Sequence, residues 1–414
     1  MPRLLLLMTT TTYRAHDFLA AAQRLGIDAV IGSDQQHVLA ELTPRRALTL
    51  DFLQPAEEIQ KVVAFAQQHP LDAIIAVDDD GALLAAMASE LLDLPHNTSD
   101  AVAAARNKYL TRQMLAQADL PSPSFRCFPI DADALSIAGE IRFPCVVKPL
   151  FLSASRGVIR ANDTAQFTAA FERVRALLCT PEIAQRGGAL AHQILVETFI
   201  PGQEVALEGL LIGGELKVLA LFDKPDPLDG PFFEETLYIT PSRLPADMQT
   251  AIATRSAQAA EALGLREGPI HAELRVYNAD AWVLEVAPRS IGGLCSRTLR
   301  FGPSLTLEEL ILQQALGIDP TQHTREHLAS GVMMLPIPQR GILQAVHGQE
   351  AARNTPDIEE LDITVPLGQE VTPLPEGDRY LGFLFARADT PEAVEAALRE
   401  AHQRLDIVIA PSST

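Results

Sequence analysis

Two glutamates within HAELRVYNADAWVLEVAPRSIGG, residues 271–293, have the spacing of a paired-carboxylate site. Because side chains alternate along a strand, Glu273 faces the same side as Arg275. A three-residue loop over 278–280 would then place Glu285 opposite Glu273, with Cβ atoms roughly 5 Å apart. Two like charges at that separation favour a bound cation, and Mg²⁺ or Mn²⁺ suits carboxylates that leave waters in place. A solvated hairpin face, on which the carboxylates never meet, would explain the same pattern.

A lysine followed by small residues suggests a phosphate-binding loop. Lys148 ends the apolar run VVKP, and Ser153, Ala154, Ser155 and Gly157 follow it. Small residues let backbone N–H groups approach an anion closely, and the ammonium group adds the charge that phosphate requires. A lysine on a solvated strand flank would need no ligand at all.

The stretch VETFIPGQEVALEG joins two strand-like runs through a tight turn. The backbone of such a connection could pair with the edge of an adenine ring, while Phe199 and Ile200 cover the ring. Glu204 would then reach the ribose hydroxyls. A plain β turn without a ligand is the alternative.

A polar, turn-rich segment, DKPDPLDGPFFEET, covers residues 223–236 and contains two adjacent aromatic residues, Phe232 and Phe233. We interpret it as the wall of a substrate pocket, with Lys224 and Glu235 as contacts. The two aromatic rings could equally anchor a long loop to the core.

Alternating strands and helices over the first 95 residues predict a parallel α/β sheet. Ligands of such sheets bind beyond the C-terminal ends of the strands, where Thr9–Thr12 and Asp78–Asp80 lie. The aspartates could contact substrate or metal, although acidic residues also favour a helix N-terminus. After a cap at 97–100, DAVAAARNKYLTRQMLAQADL is predicted to form one long helix with Lys108 near its middle.

Composition excludes some partners. The 414 residues include 33 basic and 53 acidic side chains, a net charge of −20, which argues against general binding to nucleic acid or anionic membranes. The length predicts roughly two to four domains. Four cysteines without CxxC spacing predict reduced thiols in the cytoplasm. The apolar run at residues 4–8 is too short for a signal peptide, and no apolar stretch predicts a membrane span.

Four ordered motifs between residues 98 and 300 resemble those of the ATP-grasp enzymes, which are carboxylate-amine ligases and their relatives. They are NKYLTRQML, VVKP with its small-residue loop, ETFIPGQE, and the carboxylates of AEL and LEV. EVAPRSIGG looks most like the bacterial L-amino acid ligases that make dipeptides. The resemblance implies an α/β and α+β fold: a Rossmann-like parallel-sheet domain (1–97), an ATP-grasp domain of two subdomains (98–328, lid about 125–190) and a small C-terminal mixed β/α domain (329–414).

The resemblance also implies a role for each motif residue. Lys108 and Lys148 would bind the phosphates of ATP, and Glu204 would bind the ribose. A lid over the phosphates would consist of Ser153, Ala154, Ser155, Gly157 and Val158. The hinge at the adenine would consist of Glu197, Thr198, Phe199 and Ile200. Mg²⁺ or Mn²⁺ would bind Glu273 and Glu285, and Arg289 with Gly292 would contact the acyl phosphate or the amino-acid carboxylate. Two positions depart from the wider superfamily. Thr198 stands where lysine is common, and Ala287 stands where many members have a metal-binding asparagine, a change that the dipeptide ligases share.

The implied activity is an ADP-forming ligase that activates an amino-acid carboxylate as an acyl phosphate for attack by an amine. Carboxylation or carbamoyl transfer through carboxyphosphate, or a non-catalytic nucleotide-binding regulatory role, are the alternatives. His271 is a weak candidate for the general base. The expected partners are small molecules, an amino acid and an amine, and apolar C-terminal strands could support a homodimer.

Overall fold

The computed structural model describes residues 1–35 and 47–411. Within those residues the N-terminal region forms the predicted parallel sheet, in the order β3-β2-β1-β4. Its elements are β1 (Arg3–Met8), α1 (Ala15–Arg24), β2 (Asp28–Ser33), β3 (Ala47–Thr49), α2 (Pro55–Gln68), β4 (Ala73–Ala76) and α3 (Asp79–Leu91). Alternate residues of β1 serve opposite faces, because Leu4 and Leu6 pack with Phe18 of α1 whereas Leu5 and Leu7 pack with α2 and α3.

Two helices connect this sheet to the rest of the chain, α4 (Ser99–Arg106) and α5 (Lys108–Gln117). The prediction of one long helix is therefore wrong. Asn107 has an extended backbone, and its side chain caps α5 by accepting from the N–H groups of Tyr109 and Leu110. Lys108 consequently begins a helix, and its own N–H donates to the Leu150 carbonyl instead of continuing α4.

A four-stranded antiparallel sheet in the order β5-β8-β6-β7 follows, and we call it, with its helices, the lid subdomain. Its elements are β5 (Phe125–Pro129), α6 (Ala134–Ile137), β6 (Cys145–Pro149), β7 (Ile159–Ala161), α7 (Thr164–Leu178), α8 (Pro181–Gly187) and β8 (Gln193–Thr198). Phe167 and Phe171 of α7 are fully buried against Val147 and Ile194 of the sheet. This separate core lets the subdomain hold its shape as a unit.

The next elements build most of a larger antiparallel sheet. They are β9 (Gln203–Ile212), β10 (Glu215–Asp223), β11 (Leu237–Thr240), α9 (Ala246–Ala262), β12 (Gly268–Tyr277), β13 (Asp280–Ala287), the short ribbon β14 (Arg300–Phe301) with β15 (Leu305–Thr306), and α10 (Leu307–Ala315). Helix α9 packs Ile252 and Ala259 against the β12–β13 hairpin, which includes the fully buried Ala272 and Val283.

The C-terminal elements are β16 (Ala329–Leu335), β17 (Gly341–His347), α11 (Gln349–Arg353), β18 (Ile358–Ile363), β19 (Glu370–Val371), β20 (Gly382–Ala388), α12 (Pro391–Gln403) and β21 (Asp406–Ala410). Strand β16 pairs with β11, so one sheet runs in the order β13-β12-β9-β10-β11-β16-β20-β18. The predicted domain boundary at 328/329 thus falls between two segments that share a sheet. Among the residues described, no helix combines the length and the apolar character that a membrane crossing requires.

Candidate active site

One cavity of about 650 Å³ lies where the N-terminal sheet, the lid subdomain and the eight-stranded antiparallel sheet meet. Its lining contains every residue predicted for the site except Gly157: Lys108, Lys148, Ser153, Ala154, Ser155, Val158, Glu197, Thr198, Phe199, Ile200, Glu204, Glu273, Glu285, Arg289 and Gly292. Both predicted loops of the N-terminal sheet reach the same cavity, through Thr9, Thr11, Thr12, Asp78, Asp79 and Asp80. The cavity therefore brings together motifs that are far apart in sequence.

Lys108 connects the second glutamate of the hairpin to the lid. Its Nζ lies 3.1 Å from Glu285 Oε2 and donates to the Leu152 carbonyl at 2.9 Å. The break at Asn107 makes these contacts possible, because it places Lys108 in the first turn of α5, next to Leu150, which directly follows β6.

Lys148 is held from behind by a buried ion-pair network. Its Nζ lies 2.7 Å from Glu197 Oε2, and Arg112 Nε lies 2.6 Å from Glu197 Oε1. Burial would raise the pKa of Glu197, but the charges of Arg112 and Lys148 hold it below its ordinary value. Burial lowers the pKa of Lys148, and the charge of Glu197 opposes that shift. Glu197, predicted as part of the adenine hinge, therefore also orients the lysine.

The small-residue loop after β6 turns through a left-handed conformation. Ala154 and Ser155 have φ of 53° and 55°, and the Arg156 N–H donates to the Ser153 carbonyl. Gly157 is required by space, since a Cβ there would lie 2.8 Å from Leu177 and 2.9 Å from Pro149. The loop therefore lies close to the lid core while Ser153, Ala154 and Ser155 face the cavity.

A C-terminal segment fastens this loop. The Gly157 N–H donates to the Pro375 carbonyl at 2.8 Å, and Arg156 donates to the Glu376 carbonyl at 2.8 Å. Arg156 also lies 3.3 Å from Asp378. In this conformation the only backbone donor of Gly157 is used by Pro375, and a role of Gly157 in nucleotide binding stays a prediction. The same contacts hold the loop closed against the C-terminal segment.

An apolar slot on one side of the cavity suits a planar ring. Val146, Phe199, Phe233 and Leu284 line it, and the Phe199 and Phe233 rings are stacked with centroids 6.3 Å apart. The Arg160 guanidinium lies 4.0 Å from the Phe199 ring centroid and restrains that side chain further.

Phe232 and Phe233 take different roles, one as an anchor of the loop to the core and the other as part of a pocket wall. Phe233 lines the slot, whereas Phe232 packs on the lid core. Backbone donors of the predicted hinge are partly used within the protein, since Thr198 N–H donates to Ser124 and Phe199 N–H donates to Pro144. A ring in the slot must therefore pair with other backbone groups of the segment, of which the Ile200 carbonyl already accepts from Arg275.

Glu273 and Glu285 form a cross-strand pair on β12 and β13, as predicted. The loop prediction is wrong in one detail, because Tyr277 pairs with Asp280 and only Asn278 and Ala279 lie between them. Both turn residues have positive φ, 52° and 58°, which matches the twist of a two-residue hairpin. A β-bulge between Glu273 and Leu274 shifts the register by one residue and restores the carboxylate pair.

The donor set at this pair fits a hard divalent cation. Lys108 contacts Oε2 of Glu285, and Lys224 contacts Oε1 of Glu273 at 3.0 Å, so each contact uses one oxygen of its carboxylate. Burial would raise the pKa of Glu273, but Lys224 and His271 hold it well below its usual range. Carboxylate oxygens are the ligands that Mg²⁺ prefers, so this pair would suit such an ion.

His271 is enclosed by two carboxylates. Its Nδ1 lies 3.3 Å from Glu208 Oε2, and its Nε2 lies 3.6 Å from Glu273 Oε1. Burial lowers the pKa of His271, but the hydrogen bonds to Glu208 and Glu273 raise it overall, to about 9. The two carboxylates thus favour the protonated form of His271, and its role as the general base stays a prediction.

Arg289 reaches across to the N-terminal sheet. Its Nε lies 3.0 Å from Asp79 Oδ1, and on the lid Arg186 lies 2.8 Å from Asp80. Burial lowers the pKa of Arg289, but the negative charge of Asp79 keeps that pKa above its ordinary value. Asp79 and Asp80 begin α3, as one of the two interpretations expected, and each binds an arginine that lines the cavity. Contact of the aspartates with substrate or metal stays a prediction.

Several cavity residues carry no motif and were missed from the sequence. Tyr13, Arg14, Arg186, Met334, Arg379 and Tyr380 all line the cavity. Arg14 donates to the Val77 carbonyl and to Ser290, which lies 276 residues away. Lys224, predicted as a substrate contact, is buried and bound to Glu204, Glu235 and Glu273 instead. Such contacts depend on the tertiary fold, so no local sequence pattern predicts them.

Comparison with known domain families identifies three matched regions. Residues 19–96 match the ATP-grasp N-terminal domain, residues 141–298 match the ATP-grasp domain, and residues 333–410 match the L-amino acid ligase C-terminal domain 2. The middle match contains Lys148, both hairpin glutamates and Arg289. The matched regions follow one another in the order that the fold shows.

Similar proteins include alanine–anticapsin ligase of Bacillus amyloliquefaciens, 27% identical over 58% of this chain and 53% of that protein. Dapdiamide A synthase of Enterobacter agglomerans is 27% identical over 57% of this chain and 54% of that protein. The chain spans about half the length of these two relatives. The crystal structure of L-amino acid ligase from Bacillus licheniformis superposes with a TM-score of 0.84 at 25% identity, covering 99% of both chains.

Proposed function

We propose that this chain, a member of the ATP-grasp family with an L-amino acid ligase C-terminal domain, is an ADP-forming ligase that joins the carboxylate of an amino acid to an amine. The observation that carries the proposal is the convergence of two lysines, two facing glutamates and an arginine on one cavity. That convergence supplies the charge neutralisation that phosphoryl transfer requires.

The proposal orients ATP by the chemistry of the cavity lining. The adenine ring occupies the slot of Val146, Phe199 and Phe233, which places the phosphates towards Lys108 and Lys148. Backbone groups of Ser153, Ala154 and Ser155, which line the cavity, would cover the β and γ phosphates. Mg²⁺, held by Glu273 and Glu285, would neutralise phosphate charge when bound.

The reaction proceeds through an acyl phosphate. A carboxylate oxygen of the amino acid attacks the γ-phosphorus, the bond to the β–γ bridging oxygen breaks, and ADP departs. Arg289, opposite the N-terminal aspartates, holds the reacting carboxylate or its phosphate. The amine nitrogen then attacks the acyl carbon, phosphate leaves with one former carboxylate oxygen, and the amine loses a proton. Closure of the 153–158 loop against Pro375 and Glu376 excludes water meanwhile.

The test is ADP release measured over single amino acids and amino-acid pairs, with hydroxylamine added to trap the acyl phosphate. The proposal predicts ADP and phosphate formation that depends on a carboxylate, and a hydroxamate when hydroxylamine replaces the amine. AMP formation, or ADP formation that no amino acid stimulates, would contradict it. Stimulation by bicarbonate alone would support the carboxyphosphate alternative instead.

The proposed partners are therefore small molecules. The net charge of −20 argues against general binding to polyanions. The homodimer and the cytoplasmic location stay predictions.

A further inference from the structure

Three carboxylates converge behind the ribose end of the cavity. Glu204 comes from β9, Glu273 from β12, and Glu235 from the segment before β11. One oxygen of each lies within 4.8 Å of the others, a separation at which three negative charges repel strongly. Such a group would fit a metal ion if nothing else were present.

The cation at its centre is Lys224. Its Nζ lies 2.9 Å from Glu204, 2.5 Å from Glu235 and 3.0 Å from Glu273. The three hydrogens of an ammonium group match these three acceptors. The residue is only 3% exposed, and Nζ lies 4.8 Å from the Tyr238 ring centroid. Lys224 therefore has little freedom to leave the group.

The backbone fixes Lys224 as well. It directly follows β10, where Asp223 pairs with Val205, and its own N–H donates to the Glu204 carbonyl at 3.3 Å. Arg275 binds the second oxygen of Glu204 at 3.0 Å. Glu204 is thus held at both oxygens, one by Lys224 and one by Arg275.

We infer that Lys224 is a positioning residue that couples the ribose subsite to the metal subsite, because it binds a carboxylate of each. The inference rests on the proposed function, in which Glu204 contacts the ribose and Glu273 contacts the metal. A shift of either carboxylate changes the hydrogen bonds of Lys224 and so changes the other. Occupancy of one subsite must then alter affinity at the other, and the effect is reciprocal.

The test uses ADP and 2′-deoxy-ADP, which bind without turnover, titrated calorimetrically with and without Mg²⁺. In the unmodified protein ADP should bind about tenfold more tightly than 2′-deoxy-ADP, and Mg²⁺ should change that preference by about threefold or more. Lys224→Met should reduce the preference to about twofold and remove its dependence on Mg²⁺. Lys217→Met is the matched control, since Lys217 lies on β10 but donates to the Pro320 and His323 carbonyls, and it should behave like the unmodified protein.

A second variant covers the case in which Lys224→Met does not fold. Glu235→Gln keeps the size of the side chain and removes one of the three carboxylates around Lys224, so the preference should change at least about twofold. An unchanged preference and an unchanged Mg²⁺ effect in both folded variants would overturn the inference while leaving the ligase intact. Failure of the unmodified protein to bind ADP would instead contradict the proposed function.

Discussion

Glu273 and Glu285 face each other although the turn between their strands has only two residues, because a β-bulge beside Glu273 shifts the register by one. Without the bulge, a two-residue turn would pair Glu273 with Leu284. The bulge thus sets which side chain completes the proposed metal site. Lys108 then binds one oxygen of Glu285, and Lys224 binds one oxygen of Glu273.

Loss of the second hairpin carboxylate should abolish turnover without unfolding the chain. Glu285→Gln keeps the shape of a side chain that is 30% exposed, so the free energy of unfolding should change little. The kcat for ADP formation should fall about 100-fold or more, because phosphate charge is no longer neutralised. Glu215→Gln, at an exposed position that begins β10, is the control. Activity within about twofold of the unmodified enzyme would refute the assigned role of Glu285.

The network beneath Lys148 should contribute strongly to stability. Glu197→Gln leaves the charges of Arg112 and Lys148 buried without their partner, which should lower the free energy of unfolding by about 3–5 kcal/mol. Urea denaturation measures this change. Glu400→Gln removes an exposed pair with Arg404 and should change stability by less than about 0.5 kcal/mol. Equal effects of the two substitutions would show that the buried network does not stabilise the fold.

The pKa of His271 gives a pH dependence of stability in metal-free protein. The pKa rises from 6.5 to about 9 on folding, so the imidazolium stabilises the fold fully below pH 6.5 and that contribution is lost as the pH rises through 9. Between pH 6.5 and 9 the free energy of unfolding of the unmodified protein should fall by up to about 3 kcal/mol relative to that of His271→Gln. Denaturation at several pH values with EDTA present measures the difference. Parallel pH profiles for the two proteins would mean that folding does not raise the pKa of His271.

Contacts between the lid loop and the C-terminal segment should keep ATP use coupled to ligation. Arg156→Ala removes the hydrogen bond to the Glu376 carbonyl and the contact with Asp378, so the loop should admit water to the acyl phosphate. The ratio of phosphate released to amide formed should rise about threefold or more. Arg126→Ala, which breaks an exposed lid pair with Glu140, should leave the ratio unchanged. A ratio that stays near one in Arg156→Ala would show that these contacts do not exclude water.

Local patterns predicted much of this fold because they report local physics. Alternation placed His271, Glu273 and Arg275 on one face, and all three line the cavity. The helix break at Asn107 was not predicted, because an asparagine within a helical pattern has the same local signature whether or not it caps a second helix. The position of Lys108 in the site depends on that break.

Long-range charge pairing could not be predicted. Lys224 lies in a polar, turn-rich segment that is typical of an exposed loop, yet it is buried. Its partners Glu204 and Glu273 are 20 and 49 residues away, and only the pairing of β9 with both β10 and β12 brings them together. Arg14 and Arg186 likewise reach the cavity through contacts between separate domains.

The central claim is that a carboxylate oxygen of the substrate attacks the γ-phosphorus of ATP, and isotope transfer tests it directly. The enzyme is supplied with ATP, an amine and the stimulating amino acid labelled with ¹⁸O in its carboxylate, and the released phosphate is analysed by ³¹P NMR. The account predicts one ¹⁸O atom in each phosphate released together with amide, because phosphate leaves with a former carboxylate oxygen. Unlabelled phosphate accompanying amide formation would contradict an acyl phosphate intermediate.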